Sequence, residues 1–267
     1  MTRQQRRAQQ RELMKHGQTA LRQGLPALPP KPMVVGLGLL LREALTSPRH
    51  PNPASRAAEI VHQVFEASLA QTPAKLVIAC RQGCGYCCHT WVGATAPEVF
   101  QIARHIRGRT ECDWLAPEAV IARASSNIGL DIAARFGAKL PCAFLADNAC
   151  SIYTARPTVC RQVTSTSLAA CIEEYDGQGL GDDILVSKTV MDHARNCRLP
   201  LLAALTVTGL PTHVYELSAA ITRVLQTADA EARWLAGEDV FAGLAVAPAN
   251  PPGLEQAIRA IAAEITL

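Results

Sequence analysis

Cys80-Arg81-Gln82-Gly83-Cys84-Gly85-Tyr86-Cys87-Cys88 places four thiols within nine residues, a density no globular core needs. Thiolates are soft ligands for zinc and iron, and the Cys84-x2-Cys87 spacing forms a compact two-ligand knuckle. Gly83 and Gly85 permit the sharp turns between the sulfurs. Cys87 and Cys88 are adjacent, so their side chains diverge. One ion takes both only if the backbone bends strongly, whereas a second ion or a multinuclear cluster would use both.

Four more thiols follow in Cys142-Ala143-Phe144-Leu145, Cys150-Ser151-Ile152-Tyr153, Arg156-Pro157-Thr158-Val159-Cys160-Arg161 and Ser167-Leu168-Ala169-Ala170-Cys171. With the first group, these residues resemble the YkgJ-like cysteine-cluster family, described as zinc- or iron-chelating. Its members carry a CxxCxxCC-type signature and a similar CPFL, CxIYxxRPxxCR and distal Cys series. The chain departs from that pattern in the x3 spacing of Cys80 and Cys84 and in Ala143, where Pro is commoner. The resemblance implies zinc or iron, including an iron-sulfur cluster, held by Cys80, Cys84, Cys87, Cys88, Cys142, Cys150, Cys160 and Cys171. It also puts Glu98 at a position that is often acidic in the family, as a ligand or a base behind the ligands; capping of a helix explains Glu98 more simply.

The chain has 267 residues and 49% apolar content, enough to bury a sizeable core. Aromatic residues are only 4%, so Leu, Ala, Val and Ile packed between helices must supply that core, and the stacking platform of a single-strand nucleic-acid binder is not expected. The net charge of +3 makes no general case for a polyanionic partner. Residues 1–30, however, hold six basic side chains (Arg3, Arg6, Arg7, Arg11, Lys15, Arg22) against Glu12 alone. This arm argues weakly for RNA or an acidic partner and is otherwise a frayed, solvated helix; a protein partner is left unspecified. No apolar stretch follows the basic start, and Val34–Leu41 and Leu199–Leu210 are too short to span a bilayer. A soluble cytoplasmic protein without a membrane span is expected, and reduced cytosolic thiols are more suited to metal than to disulfides.

The expected fold is mainly α: a helical domain with an irregular Cys-rich metal-binding core and short extended segments. Residues 1–50 read as a basic, Pro-containing extension, 51–180 as the cysteine-cluster domain and 181–267 as a helical region packed on it. Val34 to Leu45 is a short apolar helix whose Gly36-Leu37-Gly38 lacks the context of a dinucleotide site. Asn52 caps a helix that opens on Pro53 and buries Ala57, Val61, Val64 and Phe65. Thr95-Ala96-Pro97-Glu98 is a capping box before Val99, Ile102, Ala103 and Ile106. Pro117 to Phe136 reads as one helical stretch with Val120, Ile121, Ala124 and Ile128 on its buried face. Cys112 is a small buried hydrophobe rather than a ligand.

Between Cys142 and Arg161 the pattern is irregular, with extended pieces at 143–145 and 151–153 around an Asp147-Asn148 turn. Ser167 caps a helix carrying Cys171 in its first turn, where the dipole favours a thiolate. His193 and Cys197 share a helical face and are possible extra ligands. Thr212 opens a helix with Val214, Leu217, Ile221 and Val224 buried, and a last helix carries Leu254, Ile258, Ile261 and Ile265.

Four thiolates around one divalent ion leave about −2 of charge to be offset. Arg81, Arg156 and Arg161, with Tyr153, are placed to sit behind the sulfurs. Three functions stay open. The first is a structural or cluster-holding metal site. The second is an iron-sulfur enzyme of protein-methylase or radical SAM-like type using S-adenosylmethionine, since Cys80-x3-Cys84-x-Tyr86-Cys87 is similar to the CxxxCxΦC signature although the repeated strand-helix context is missing. The third is thiol redox chemistry at Cys84-Gly85-Tyr86-Cys87, against which the adjacent Cys88 and the lack of a βαβ pattern argue.

Overall fold

The computed structural model describes residues 2–72, 78–109, 115–177, 186–244 and 252–266. In chain order the elements are α1 (Arg3–Gln23), α2 (Lys31–Thr46), α3 (Pro53–Ala70), a 3-10 turn (Tyr86–His89), β1 (Gly93–Thr95), α4 (Ala96–Arg107), α5 (Pro117–Ser125) and α6 (Ile132–Gly137). A hairpin of β2 (Leu145–Ala146) and β3 (Ala149–Cys150) follows, then α7 (Thr158–Gln162), α8 (Leu168–Tyr175), α9 (Lys188–Val207), β4 (Val214–Glu216), α10 (Leu217–Gln226), α11 (Ala230–Leu235) and α12 (Pro252–Ile265). The fold is mainly α, and every strand has only two or three residues. Among the described residues no helix is long and apolar enough to cross a membrane.

The chain folds as two compact units that interleave in sequence: Met1–Pro73, Thr189–Thr212 and Pro248–Leu267 form one, Ala74–Lys188 and His213–Ala247 the other. The three segments expected from sequence are each contiguous, whereas these units are assembled from segments distant along the chain.

In the first unit the basic N-terminal segment is a packed helix. Thr2 and Gln5 exchange capping bonds at the start of α1, and Gly24 ends it at φ +80°. The charged residues stay in water while Gly17 and Ala20 are buried. Gly17 touches α2 so closely that a Cβ there would lie 2.2 Å from the Gly36 carbonyl oxygen. Gly36 therefore serves helix packing. Helix α3 opens on Pro53 and buries Ala57, Val61, Val64 and Phe65, but Asn52 makes no side-chain capping bond. Ser68 of α3 accepts from the Leu25 amide at 2.8 Å, closing the turn after α1. Helix α12 lays Ile261 and Ile265 against Gly38.

In the second unit β1 and β4 pair antiparallel, with Gly93 opposite Glu216 and Thr95 opposite Val214. Each strand runs directly into a helix, α4 and α10, and these two pack on each other with α5 against α10. Phe100, Tyr215, Trp234 and Phe241 gather in one aromatic cluster with ring centroids 4.4–5.6 Å apart. The helix expected from Thr212 begins at Leu217, because Val214–Glu216 are taken by the pairing with β1 and the Glu216 carboxylate accepts the Ala219 amide at 2.7 Å. The helix expected over 117–136 is two, α5 and α6. Gly129 lies at φ +83°, which a continuing helix cannot hold, and Ile128 is exposed.

Candidate metal centre

The second unit holds all eight of the motif cysteines. Gly83, at φ +91°, turns the chain so that the Cys84 amide donates to the Arg81 carbonyl at 3.1 Å, and the 3-10 turn then carries Cys87 and Cys88. Gly85 sits against the β2–β3 hairpin, where a Cβ would meet Leu145 Cδ1 at 3.1 Å. That hairpin has the two-residue turn its sequence announces, with Asp147 and Asn148 at φ +49° and +60°, although its strands start nearer the turn than expected. Cys150 lies at its end.

The two cysteine segments are joined by backbone. Cys142 N–H donates to the Cys88 carbonyl at 2.7 Å, and the neighbours of Cys142 are pinned on either side: Asn127 Nδ2 donates to the Pro141 carbonyl at 3.0 Å and Arg123 Nε to the Ala143 carbonyl at 2.8 Å. Cys80 is held from another direction, its sulfur accepting the Ser165 amide at 3.2 Å while the Ala79 amide donates to the Ser165 carbonyl at 2.8 Å. Cys160 rides on α7 and Cys171 on α8, whose cap is the expected Ser167, accepting from Ala170. Tyr175 at the end of α8 packs edge-on against the rings of Tyr86 and His89, bringing α8 to the knuckle.

Cys80, Cys84, Cys87, Cys88, Cys142, Cys150 and Cys160 line one cavity of about 150 Å³. Cys171 is outside its lining but close enough that charge on it opposes ionisation of Cys80 and Cys84. The nine described cysteines are all free thiols. Among the described residues no three His, Cys, Asp or Glu side chains already stand where they could hold one metal ion. The all-sulfur donor set suits zinc or iron.

Burial pushes the Cys80, Cys84, Cys142 and Cys160 thiols up, and Cys150 up to about 11. Cys88 donates its S–H to Cys87, which brings Cys87 down to about 7 and drives Cys88 well up. Mutual repulsion adds to burial in two sets: Cys80 and Cys84 feel Cys87 and Cys171, whereas Cys160 feels Cys142, Cys87 and Cys150. Cys87 belongs to both.

Cations offset part of this. The Arg156 guanidinium, stacked 3.6 Å over the Tyr153 ring, favours the thiolates of Cys87, Cys150 and Cys160. Arg81 does the same for Cys84. Arg161 is buried with its donors on backbone, Nε to the Arg156 carbonyl at 2.9 Å and Nη2 to the Thr154 carbonyl at 2.5 Å, so it braces the loop that presents Arg156. Glu98 caps two helices: Oε2 accepts from Thr95 and Oε1 from the Thr158 amide of α7.

His193 and Cys197 share a face of α9 and are buried in the first unit, with His193 Nε2 3.3 Å from Thr72 Oγ1; neither lines the cavity. Cys112 lies outside the described residues. Sequence reasoning missed Arg135 and Glu216, a fully buried ion pair 3.0 Å apart in the same unit, because no local pattern marks a partner 81 residues away.

Residues 79–197 match the model of the CxxCxxCC family, described as "Putative zinc- or iron-chelating domain". That segment is similar to the CxxCxxCC family, in agreement with the resemblance carried by its cysteine series. The match reaches beyond Cys171 to Cys197, and leaves residues 1–78 and 198–267 outside it. No curated protein and no solved structure matches the chain.

Proposed function

We propose that the CxxCxxCC domain binds zinc or iron through Cys80, Cys84, Cys87, Cys88, Cys142, Cys150, Cys160 and Cys171 as a closed, structural or cluster-holding site. The convergence of seven thiols on one cavity, with Cys171 beside Cys80 and Cys84, carries this reading. A bound metal supplies the positive charge that lets crowded thiols ionise together, and it cross-links segments joined otherwise by few backbone bonds. Eight sulfurs exceed one tetrahedral shell, and the two mutually repelling sets with Cys87 between them favour two ions or a polynuclear cluster.

The test is metal content per chain and visible absorbance of protein purified without oxygen. About two zinc ions per chain in colourless protein, or iron with acid-labile sulfide in brown protein, supports the reading. Metal-free protein with all its cysteines freely alkylated overturns it.

A second reading draws on the cavity itself, whose wall includes Trp91, Val92, Phe144, Val163 and Leu217 beyond the sulfurs. Such room suits an iron-sulfur enzyme of the methylase or radical SAM-like type. Reductive cleavage of S-adenosylmethionine by the reduced protein would support it, and its absence in iron-loaded protein would remove it. Thiol redox chemistry gains only the lowered pKa of Cys87, whose proton-sharing neighbour is Cys88 rather than Cys84.

A further inference from the structure

Helix α1 lies outside the residues that match the CxxCxxCC family, and it is not the frayed extension its composition suggests. Its second half is packed: Gly17 and Ala20 are buried, and Gly17 meets Gly36 of α2 backbone to backbone. Its first two turns stand mostly clear of that packing. Every residue from Thr2 to Gln9 is exposed, and only Arg6 and Gln9 edge a small groove beside Leu39 of α2 and Glu264 of α12. The helix is a rod anchored at one end.

Arg3, Arg7, Arg11 and Lys15 follow at four-residue steps, each turning only about 40° around the helix, and Gln18 and Arg22 fall on the same face. All six are exposed, opposite the side that buries Gly17 and Ala20. From Arg3 to Arg22 this ridge is about 28 Å long. Lys15 pairs with Glu12 at 2.8 Å, but Arg3, Arg6, Arg7, Arg11 and Arg22 have no carboxylate partner among the described residues. Tertiary structure lengthens the strip. Gln18 opens onto a cleft of about 290 Å³ whose walls include Arg49, His50 and Arg56, with Glu43 as an acidic member.

The geometry separates the polyanions that such a strip could meet. A membrane-surface helix needs its apolar side free to enter the lipid, and in α1 that side is spent on α2. Single strands are held by stacking on aromatic rings, and α1 has no Phe, Tyr or Trp. A nucleic-acid duplex is a continuous line of charge, one per about 1.7 Å of axis, so a straight ridge finds phosphates wherever it lands. Arginine forks match phosphate oxygens in pairs. A projecting helix about 10–12 Å across fits the major groove of B-DNA, about 12 Å wide, whereas the major groove of duplex RNA is too narrow for it.

We propose that the exposed ridge of α1 is a docking surface for double-stranded DNA, its first two turns entering the major groove while Arg11, Lys15, Arg22 and the Arg49–Arg56 cleft follow the phosphate backbone. Binding is independent of base sequence, since the ridge holds cations rather than a set of base-reading side chains. Nothing in this depends on the metal reading.

The test is fluorescence anisotropy of the full chain with a labelled DNA duplex of about 20 base pairs, titrated from about 50 to 200 mM salt. Four to five phosphate contacts give a slope of log K against log salt of about −4. Arg7→Gln/Arg11→Gln should reduce that slope by about 2 and weaken binding about 10–100-fold at low salt. Arg233→Gln/Arg259→Gln removes the same charge from α11 and α12 and should leave both nearly unchanged. Circular dichroism checks folding, and Arg3→Gln/Arg6→Gln, confined to the exposed turns, serves where the first pair folds poorly.

Duplex RNA of the same length should bind more weakly than DNA. No duplex binding at the lowest salt, equal losses in the ridge and control variants, or tighter binding of RNA overturns the proposal. So does tighter binding of polyglutamate, which would assign the ridge to an acidic protein, or of phosphatidylserine vesicles, which would assign it to a membrane.

Discussion

Glu98 Oε1 accepts the backbone amide of Thr158 at 2.7 Å, joining the first turn of α4 to the first turn of α7 across 60 residues of sequence. One carboxylate thereby caps the helix that leaves the first cysteine group and the helix that carries Cys160. Its second oxygen closes the box with Thr95 at 2.9 and 2.8 Å. Glu98→Ala should cost about 1–3 kcal/mol by leaving buried donors unpaired. It should also lower metal occupancy, because α7 loses its anchor. Urea unfolding and metal content of the same preparations check both outcomes.

Arg161 fixes the loop from Thr154 to Arg156 by its two carbonyl contacts. Replacing it with Met removes charged donors to buried carbonyls, at a cost on the order of 2 kcal/mol. Arg156 should then lose its stack on Tyr153. The expected readout is weaker metal binding than in an Arg156→Lys variant of unchanged stability, measured by competition with a chromophoric chelator.

Metal should stabilise the cysteine-bearing unit by mass action, since the unfolded chain offers no assembled site. At a free zinc concentration one hundred times Kd the gain is about 2.7 kcal/mol for one site. Thermal unfolding followed with and without chelator should show a drop in Tm on metal removal. An unchanged Tm in protein shown to bind metal would mean that the ions do not hold the fold.

In the first unit, Gly17 and Gly36 lie backbone to backbone, and a Cβ on Gly36 would meet the Leu13 carbonyl oxygen at 2.2 Å. Neither clash ends on a flexible side chain. Gly17→Ala and Gly36→Ala should each destabilise the unit by about 1–3 kcal/mol. Combined, they should cost less than the sum, since one separation of α1 and α2 relieves both. Urea unfolding of the two single variants and the double variant measures this.

Cys197 offers a pH test away from the metal thiols. Burial pushes it up to about 12, with a partly opposing hydrogen bond from Ser68. The folded protein then holds this proton more tightly than the unfolded chain, whose thiol titrates near pH 8.5–9. The stabilisation is full below that range and is lost as pH rises towards 12, at about 1.4 kcal/mol per pH unit. Between pH 9 and 10 the wild type should lose more stability than Cys197→Ala, by up to about 1 kcal/mol, in unfolding measured under reducing conditions.

The local devices of this protein were legible in its residues. The Thr95–Glu98 box, the Ser167 cap, the Asp147-Asn148 turn and the helical stripe of α3 each depend on atoms a few residues apart, where steric and hydrogen-bonding preferences act directly on the chain. The spacing of the cysteines likewise pointed to the segment that matches a zinc- or iron-chelating family, because eight thiols in such intervals have little other use. Tertiary structure decided the rest. Arg135 meets Glu216, Glu98 reaches Thr158, Cys88 binds Cys142 through backbone, and Gly17 admits Gly36, all through folding that brings distant residues together. The basic N-terminal stretch was read as an extension for the same reason: its burial depends on Gly17 and Ala20 finding α2 and α3, and a single amphipathic stretch carries no mark of its partner.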